Sequence, residues 1–407
     1  MSIAPAKRPA KHPRRTLRAR SRRYIPSVVA VPVTVPYVRY SSHAAHWFAA
    51  RALSHLLESS GLAKVEVDGL CFSSFTLAPD TAVGLTQHLG LTLRWLDHIP
   101  MGGASGLIAL RRASLAVECG HAQVVACVAA ETNQPDTLRA TLGNFSQFAQ
   151  DAVLPYGAGG PNASFALLTG CYMRQFGARA EDFGKLCVAQ RQNAMQFPYA
   201  LLRSPLTMEA YLQARPIAEP LRLFDCVMPC AGAEAFLVMR ESLARNLGVR
   251  FATVLSTLEC HNAFPEDPVQ MRGGWALDRE AMFAHAGIRH EQIDFLQTCD
   301  VCPVISLMQM EDLGFCAKGE GPQFVRSHTF TNDGSFPHNT SGGQLSVGQA
   351  GAAGGFLGLT DAIRQLTGSP LGAQVPGACI GLVSGYGMID YERGLCCAAA
   401  ILAQSGA

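Results

Sequence analysis

Two stretches of this 407-residue chain could present backbone N–H groups to a negatively charged atom. Gly102-Gly103-Ala104-Ser105-Gly106 opens a helical pattern, and Ser341-Gly342-Gly343 opens another. The first N–H groups of a helix have no intrahelical partner, so such a turn can hold a developing oxyanion or enolate. The fourteen cysteines offer a different chemistry. Cys226-Val-Met-Pro-Cys230 and Cys299-Asp-Val-Cys302 could be read together as a zinc site. The gap between the pairs is far longer than in a compact zinc ribbon, and both pairs lie in apolar runs. The expectation is no metal. Most other cysteines stand singly among apolar residues, as small buried hydrophobes do in a reducing compartment. A cytoplasmic location is expected.

The elements that must position these groups follow an α/β rhythm. Strands are expected at Val28–Val35, Val67–Phe75 and Gln123–Ala130, with helices at Ala44–Ser59, Thr81–Leu89 and from Gly102 to about Cys119. The second half repeats the pattern. Its strands are expected at Phe251–Leu258, Asp294–Cys299, Cys379–Gly385 and Leu395–Leu402, and its helices at Arg279–Ala286, Val304–Leu313 and Gly348–Thr367. One Gly/Ser/Ala-rich helix start in each half hints at duplication.

Composition narrows the classes. An apolar share of 48% excludes a disordered chain. The net charge of +2 is a sum over two unlike parts. Residues 1–23 carry nine Lys and Arg and no acid, which leaves 24 bases against 31 acids, about −7, for the rest. The tail is expected to be disordered: a solvated extension, a transit peptide or a nucleic-acid tail. The body gives no reason to expect a nucleic-acid partner. No apolar run is long enough for a membrane span.

The motifs, in order, resemble the thiolase superfamily, closest to its sterol-carrier-protein thiolase-like branch. Gly102-Gly103-Ala104-Ser105-Gly106-Leu107 with Gly120-His121-Ala122 resembles the nucleophile segment. Asp300 with Glu311-Asp312-Leu313-Gly314-Phe315 resembles the intervening segment. Asn339-Thr340-Ser341-Gly342-Gly343-Gln344 through Gly348-Gln349-Ala350-Gly351 resembles the C-terminal loop and helix, closed by Gln365-Leu366-Thr367-Gly368. The resemblance implies two similar α/β halves in a five-layered αβαβα fold, residues 24–245 and 246–407. Residues 133–197 are expected as an inserted loop region over the pocket. It also implies a homodimer and a CoA thioester as substrate, with no further cofactor.

The resemblance also implies four catalytic positions, and this chain departs at each. The nucleophile cysteine position is Gly103. The activating histidine of Gly-His-Pro is Gln349. The oxyanion Asn or His falls near Cys299, just before Asp300, and the second cysteine falls near Tyr386. Cys226 and Ala231-Gly232-Ala233 replace a structural Asp-Gly-Ala. Without nucleophile and base, an acyl-enzyme at Gly103 is excluded. Ser105 is a substitute nucleophile or a structural cap.

The remaining acid/base candidates are three. Tyr386 between Gly385 and Gly387 is either an acid/base or packed in a turn. Cys299 needs a lowered pKa to react, and Asp300 beside it would orient it or cap the helix near Val304. His338 is functional or a solvated loop residue. Gly103 and Gly387 N–H are the implied oxyanion donors, and Ser105, Asn339, Gly348 and Gly387 the implied substrate contacts.

A branch of the family with Gly-Gly-(Ala/Ser)-Ser-Gly performs retro-aldol cleavage of β-hydroxyacyl-CoA beside a small OB-fold partner protein. That is the expected function here. An acyltransferase using Ser105, Cys299 or a partner's nucleophile, and a non-catalytic acyl-CoA or lipid-binding scaffold, are the alternatives.

Overall fold

The β-branched run near the N-terminus forms strand β1, Ser27–Val38, with side chains buried on both faces over most of its length. Strands covered on both sides read as continuous apolar runs rather than alternating ones. The same holds for β2 (Gly69–Ser73) and β4 (Val124–Glu131), which are buried throughout. The computed structural model describes residues 27–135, 155 and 160–406. The basic tail and residues 136–154 and 156–159 of the expected loop region lie outside the described residues.

Among the described residues the main sheet has nine strands in the order β3-β2-β4-β7-β1-β8-β11-β10-β9. The others are β3 (Trp95–His98), β7 (Ala231–Arg240), β8 (Phe251–His261), β9 (Phe295–Gln297), β10 (Ile380–Asp390) and β11 (Arg393–Gln404). A separate pair, β5 (Pro216–Ala218) and β6 (Leu221–Arg222), is antiparallel. The sheet is two copies of one pattern. In the first half β2 and β4 are parallel, and β4-β7 and β7-β1 are antiparallel. In the second half β9 and β10 are parallel, and β10-β11 and β11-β8 are antiparallel. The halves join where β1 meets β8, over Val28–Ala30 and Phe251–Thr253. A parallel bridge from Leu296 to His338 stands where β3 stands in the first half.

Helices Ser105–Glu118 and Gly354–Leu366 form the central layer, each touching strands of both halves. Helix Ala45–Ser60 covers the first half from outside, and Trp275–Ala286 the second. The two Gly-rich helix starts are explained by their meeting. A Cβ at Gly106 would fall 2.5 Å from Gly355 O, and one at Gly355 would overlap Gly102 O. Glycine is required for so close a backbone approach.

Several expected boundaries move. The final helix starts at Gly354 rather than Gly348, because Gly348 (φ 113°) leaves helical geometry and Gln349 pairs with Pro229 in a parallel bridge. The expected pocket loop contains two helices, Pro161–Phe176 and Ala180–Ala194, among its described residues. Strand β7 is an apolar run that the sequence reading passed over.

Candidate active site

The turn at Gly103 is built by its neighbours. Gly102 takes φ 54°, and Met101 N–H donates to Ser105 Oγ at 2.9 Å. Ser105 is therefore a buried acceptor inside the turn, holding the N–H of Met101, which precedes it. A Cβ at Gly103 would overlap both Cys299 Sγ and the Tyr386 carbonyl oxygen. The space a nucleophile's side chain would need is filled from across the site.

Cys299 follows β9. Its N–H donates to Ser384 O at 3.0 Å, and its thiol donates to Tyr386 O at 3.4 Å. Burial raises the thiol's pKa to about 11, so it is protonated near neutral pH. Asp300 neither orients Cys299 nor caps the helix beginning at Pro303. Its carboxylate accepts from Gln344 N–H at 2.9 Å and Leu345 N–H at 3.2 Å, capping the short helix Gly343–Val347. Burial raises its pKa to about 6 against those bonds.

That cap delivers Gln344, which the sequence reading did not single out. Gln344 Nε2 donates to Cys299 Sγ at 3.4 Å. Its Oε1 accepts from Gln349 Nε2 at 3.2 Å. Gly354 makes room, since a Cβ there would lie 2.6 Å from Gln344 Oε1. A long polar residue immediately after paired glycines was the available signal.

Gln349 is fixed by its backbone, with its N–H on Met228 O at 2.8 Å and its carbonyl accepting from Cys230 N–H at 3.1 Å. The Cys226–Cys230 segment thus docks the backbone at Gln349. Gly348 lies against it, where a Cβ would be 2.9 Å from Cys230 Sγ. Cys226 and Cys302 are free thiols, as are Cys230 and Cys299. Among the described residues no group of three or more His, Cys, Asp or Glu could hold a metal ion.

Gly103, Cys299, Asp300, Asn339 and Gln344 line one small cavity. Asn339 (φ 44°) accepts from Thr298 N–H at 2.8 Å through Oδ1. Gly387 packs beside Gly102 and Met101 O.

Tyr386 and His338 are not brought in as expected. Gly385 and Gly387 face the Gly103 turn, so Tyr386, between them on β10, projects to the other face. Its ring stacks on Trp275 at 6.2 Å and packs against Gly394. Its hydroxyl is buried without a hydrogen-bond partner, and burial raises its pKa further above the ordinary value. Only its main chain reaches Cys299. His338 is neither solvated nor in the cavity. It is fully buried, with Nε2 2.8 Å from Thr298 Oγ1 and its ring edge-on to Phe330. Burial lowers its pKa to about 3, so it is neutral.

Glu131 was also missed. This buried carboxylate at the end of β4 accepts from Phe75 N–H (2.6 Å), Thr76 N–H (3.0 Å) and Ala352 N–H (3.1 Å). It ties the first half to the start of the central helix of the second.

Comparison with known proteins agrees with this architecture. Residues 269–395 match the thiolase C-terminal domain-like family. The chain is 30% identical over 339 residues to the 17-hydroxy-3-oxo-4-pregnene-20-carboxyl-CoA lyase of Mycobacterium tuberculosis, covering 79% of this chain and 86% of that one. It is 29% identical over 338 residues to a steroid side-chain-cleaving aldolase of Thermomonospora curvata, covering 79% and 85%. Among solved structures, the Ltp2-ChsH2(DUF35) aldolase superposes with TM-score 0.81 at 24% identity, over 94% of this chain and 98% of that one. Two mirrored α/β halves around paired Gly-rich helices define a thiolase-type fold. The chain belongs to the thiolase superfamily, in a branch without the catalytic cysteine.

Proposed function

We propose that this protein cleaves a carbon–carbon bond of a β-hydroxyacyl-CoA by a retro-aldol reaction without an acyl-enzyme. The observation that carries the reading is the Gly103–Cys299 contact. The family's nucleophile position has no side chain and no room for one. The names of the two relatives, a lyase and an aldolase, support the same reaction class, with steroid-derived acyl chains among the substrates.

In that reaction the β-hydroxyl loses its proton and the Cα–Cβ bond breaks. The Cβ fragment leaves as a ketone or aldehyde. The bond's electron pair forms the thioester enolate, which then takes a proton at Cα to give the shortened acyl-CoA. The protein must hold the enolate oxygen, and the N–H groups opening the Gly102–Gly103 turn and the Gln349 amide are the donors proposed for it. The proposed reaction does not use Cys299, Tyr386 or His338 as the hydroxyl's base. The first is protonated, the second faces away and the third is enclosed in the core.

The named partner in the Ltp2-ChsH2(DUF35) structure supports a small partner protein here. A homodimer and a cytoplasmic location belong to the same proposal. No described helix is long and apolar enough to cross a membrane. The test is to incubate the protein, alone and co-purified with an OB-fold partner, with a β-hydroxyacyl-CoA. Liquid chromatography with mass detection would then show whether a carbonyl product and a shortened acyl-CoA appear in equal amounts.

A further inference from the structure

Three hydrogen bonds around the site run in one direction. Gln349 Nε2 donates to Gln344 Oε1 (3.2 Å), Gln344 Nε2 donates to Cys299 Sγ (3.4 Å), and Cys299 Sγ donates to Tyr386 O (3.4 Å). The last acceptor is a main-chain carbonyl and cannot reverse. Because it takes the thiol proton, Cys299 Sγ is left as the acceptor for Gln344. Gln344 must then turn its Nε2 toward the sulphur and its Oε1 toward Gln349. Gln349 must in turn offer an N–H. Each amide orientation follows from the one behind it.

Cys299 and Gln344 are buried, at 4% and 3% exposure, whereas Gln349 is only partly buried. The open end of the chain is therefore the Gln349 carboxamide, with its orientation set. One N–H is spent on Gln344, which leaves one N–H donor and the Oε1 acceptor for a ligand.

We propose that Gln344 is a positioning residue that, through Gln349, selects acyl thioesters bearing a β-hydroxyl over those bearing a β-ketone. This rests on the reaction class proposed above. The free N–H of Gln349 suits the thioester carbonyl, and its Oε1 suits a hydroxyl proton. A β-ketoacyl thioester brings a second acceptor to Oε1, and two facing acceptors repel. No charge or covalent step is involved, so the effect falls on binding preference rather than on a reactive group.

The experiment measures dissociation constants by calorimetry for a β-hydroxyacyl-CoA and the matching β-ketoacyl-CoA. It uses the wild type, Gln344→Leu and Cys299→Ala, with turnover of the hydroxy substrate recorded alongside. Folding of each variant is checked by its thermal transition. The wild type should prefer the hydroxy ligand. Breaking the chain at either link should reduce that preference roughly tenfold, the worth of one misdirected hydrogen bond. KM for the hydroxy substrate should rise more than kcat falls. A folded Gln344→Leu or Cys299→Ala protein that keeps the wild-type preference overturns the inference, even with cleavage intact. A wild type that prefers the hydroxy ligand but cleaves nothing leaves the inference standing and overturns the proposed reaction instead.

Discussion

Cys299 Sγ occupies the space that a side chain at Gly103 would need. The two positions are complementary, so the loss of a nucleophile at one is matched by a thiol filling from the other. A Cβ at Gly103 would also meet the Tyr386 carbonyl oxygen, which is backbone and cannot swing away. Gly103→Ala should therefore lower stability by about 1–3 kcal/mol, the usual cost of overpacking. Removing the sulphur with Cys299→Ala should recover only part of it. Urea denaturation of both single variants and the double variant checks this; strict additivity would mean that the two sites do not share the space.

Gly103→Cys should for the same reasons fail to create an acyl-enzyme. No histidine stands at Gln349 to take the thiol's proton, and the new side chain has no room. Intact-mass measurement after exposure to an acyl-CoA should show no adduct on residue 103.

Tyr386→Phe should leave cleavage within about twofold of wild type. The hydroxyl is buried, unpaired and on the far face of β10. Removing an unsatisfied buried polar group is near neutral or stabilising by about 1 kcal/mol. A large fall in kcat at unchanged stability would return the tyrosine to the mechanism.

Asp300→Ala removes the acceptor for two backbone N–H groups at the start of the helix that carries Gln344. A lost cap costs about 1–2 kcal/mol. The free energy of unfolding should drop by that amount, seen as a lower denaturation midpoint with little change in slope, and the preference for β-hydroxy ligands should weaken with it.

His338 gives the pH dependence. Its folded pKa, about 3, lies below the unfolded value near 6.5 because burial disfavours the charged ring. Its contribution is complete above about pH 6.5. It is lost as pH falls toward 3, at up to about 1.4 kcal/mol per unit, because the unfolded chain takes up the proton first. Between pH 7 and 5 the wild type should lose roughly 2 kcal/mol more than a folded His338→Gln variant. Parallel stability curves for the two proteins would contradict the buried neutral ring.

Much of this was legible in the sequence. The β-branched run at Val28–Val35, the alternation of strands and helices, and the two small-residue helix starts carried the fold; of the motif positions, Gly103 and Cys299 meet directly, and Gln349 reaches Cys299 through Gln344. Whether Tyr386 is an acid/base or a packed ring stays open in the sequence, because proximity along the chain does not give the face. On a strand, adjacent side chains point to opposite sides, so Tyr386 sends its main chain to the site and its ring away. His338 looked like a loop residue, since nothing local shows that Phe330, Thr298 and the bridge to Leu296 enclose it. Gln344 was overlooked because its role depends on Cys299, which is 45 residues away.

The central claim is carbon–carbon cleavage without a covalent intermediate. Its most direct test follows one β-hydroxyacyl-CoA with the protein and its partner by intact-protein and small-molecule mass spectrometry in the same reaction. The account predicts equal amounts of a carbonyl product and a shortened acyl-CoA, with the protein's mass unchanged throughout. An acyl group trapped on any residue, or release of free CoA with the acyl chain whole, would contradict it.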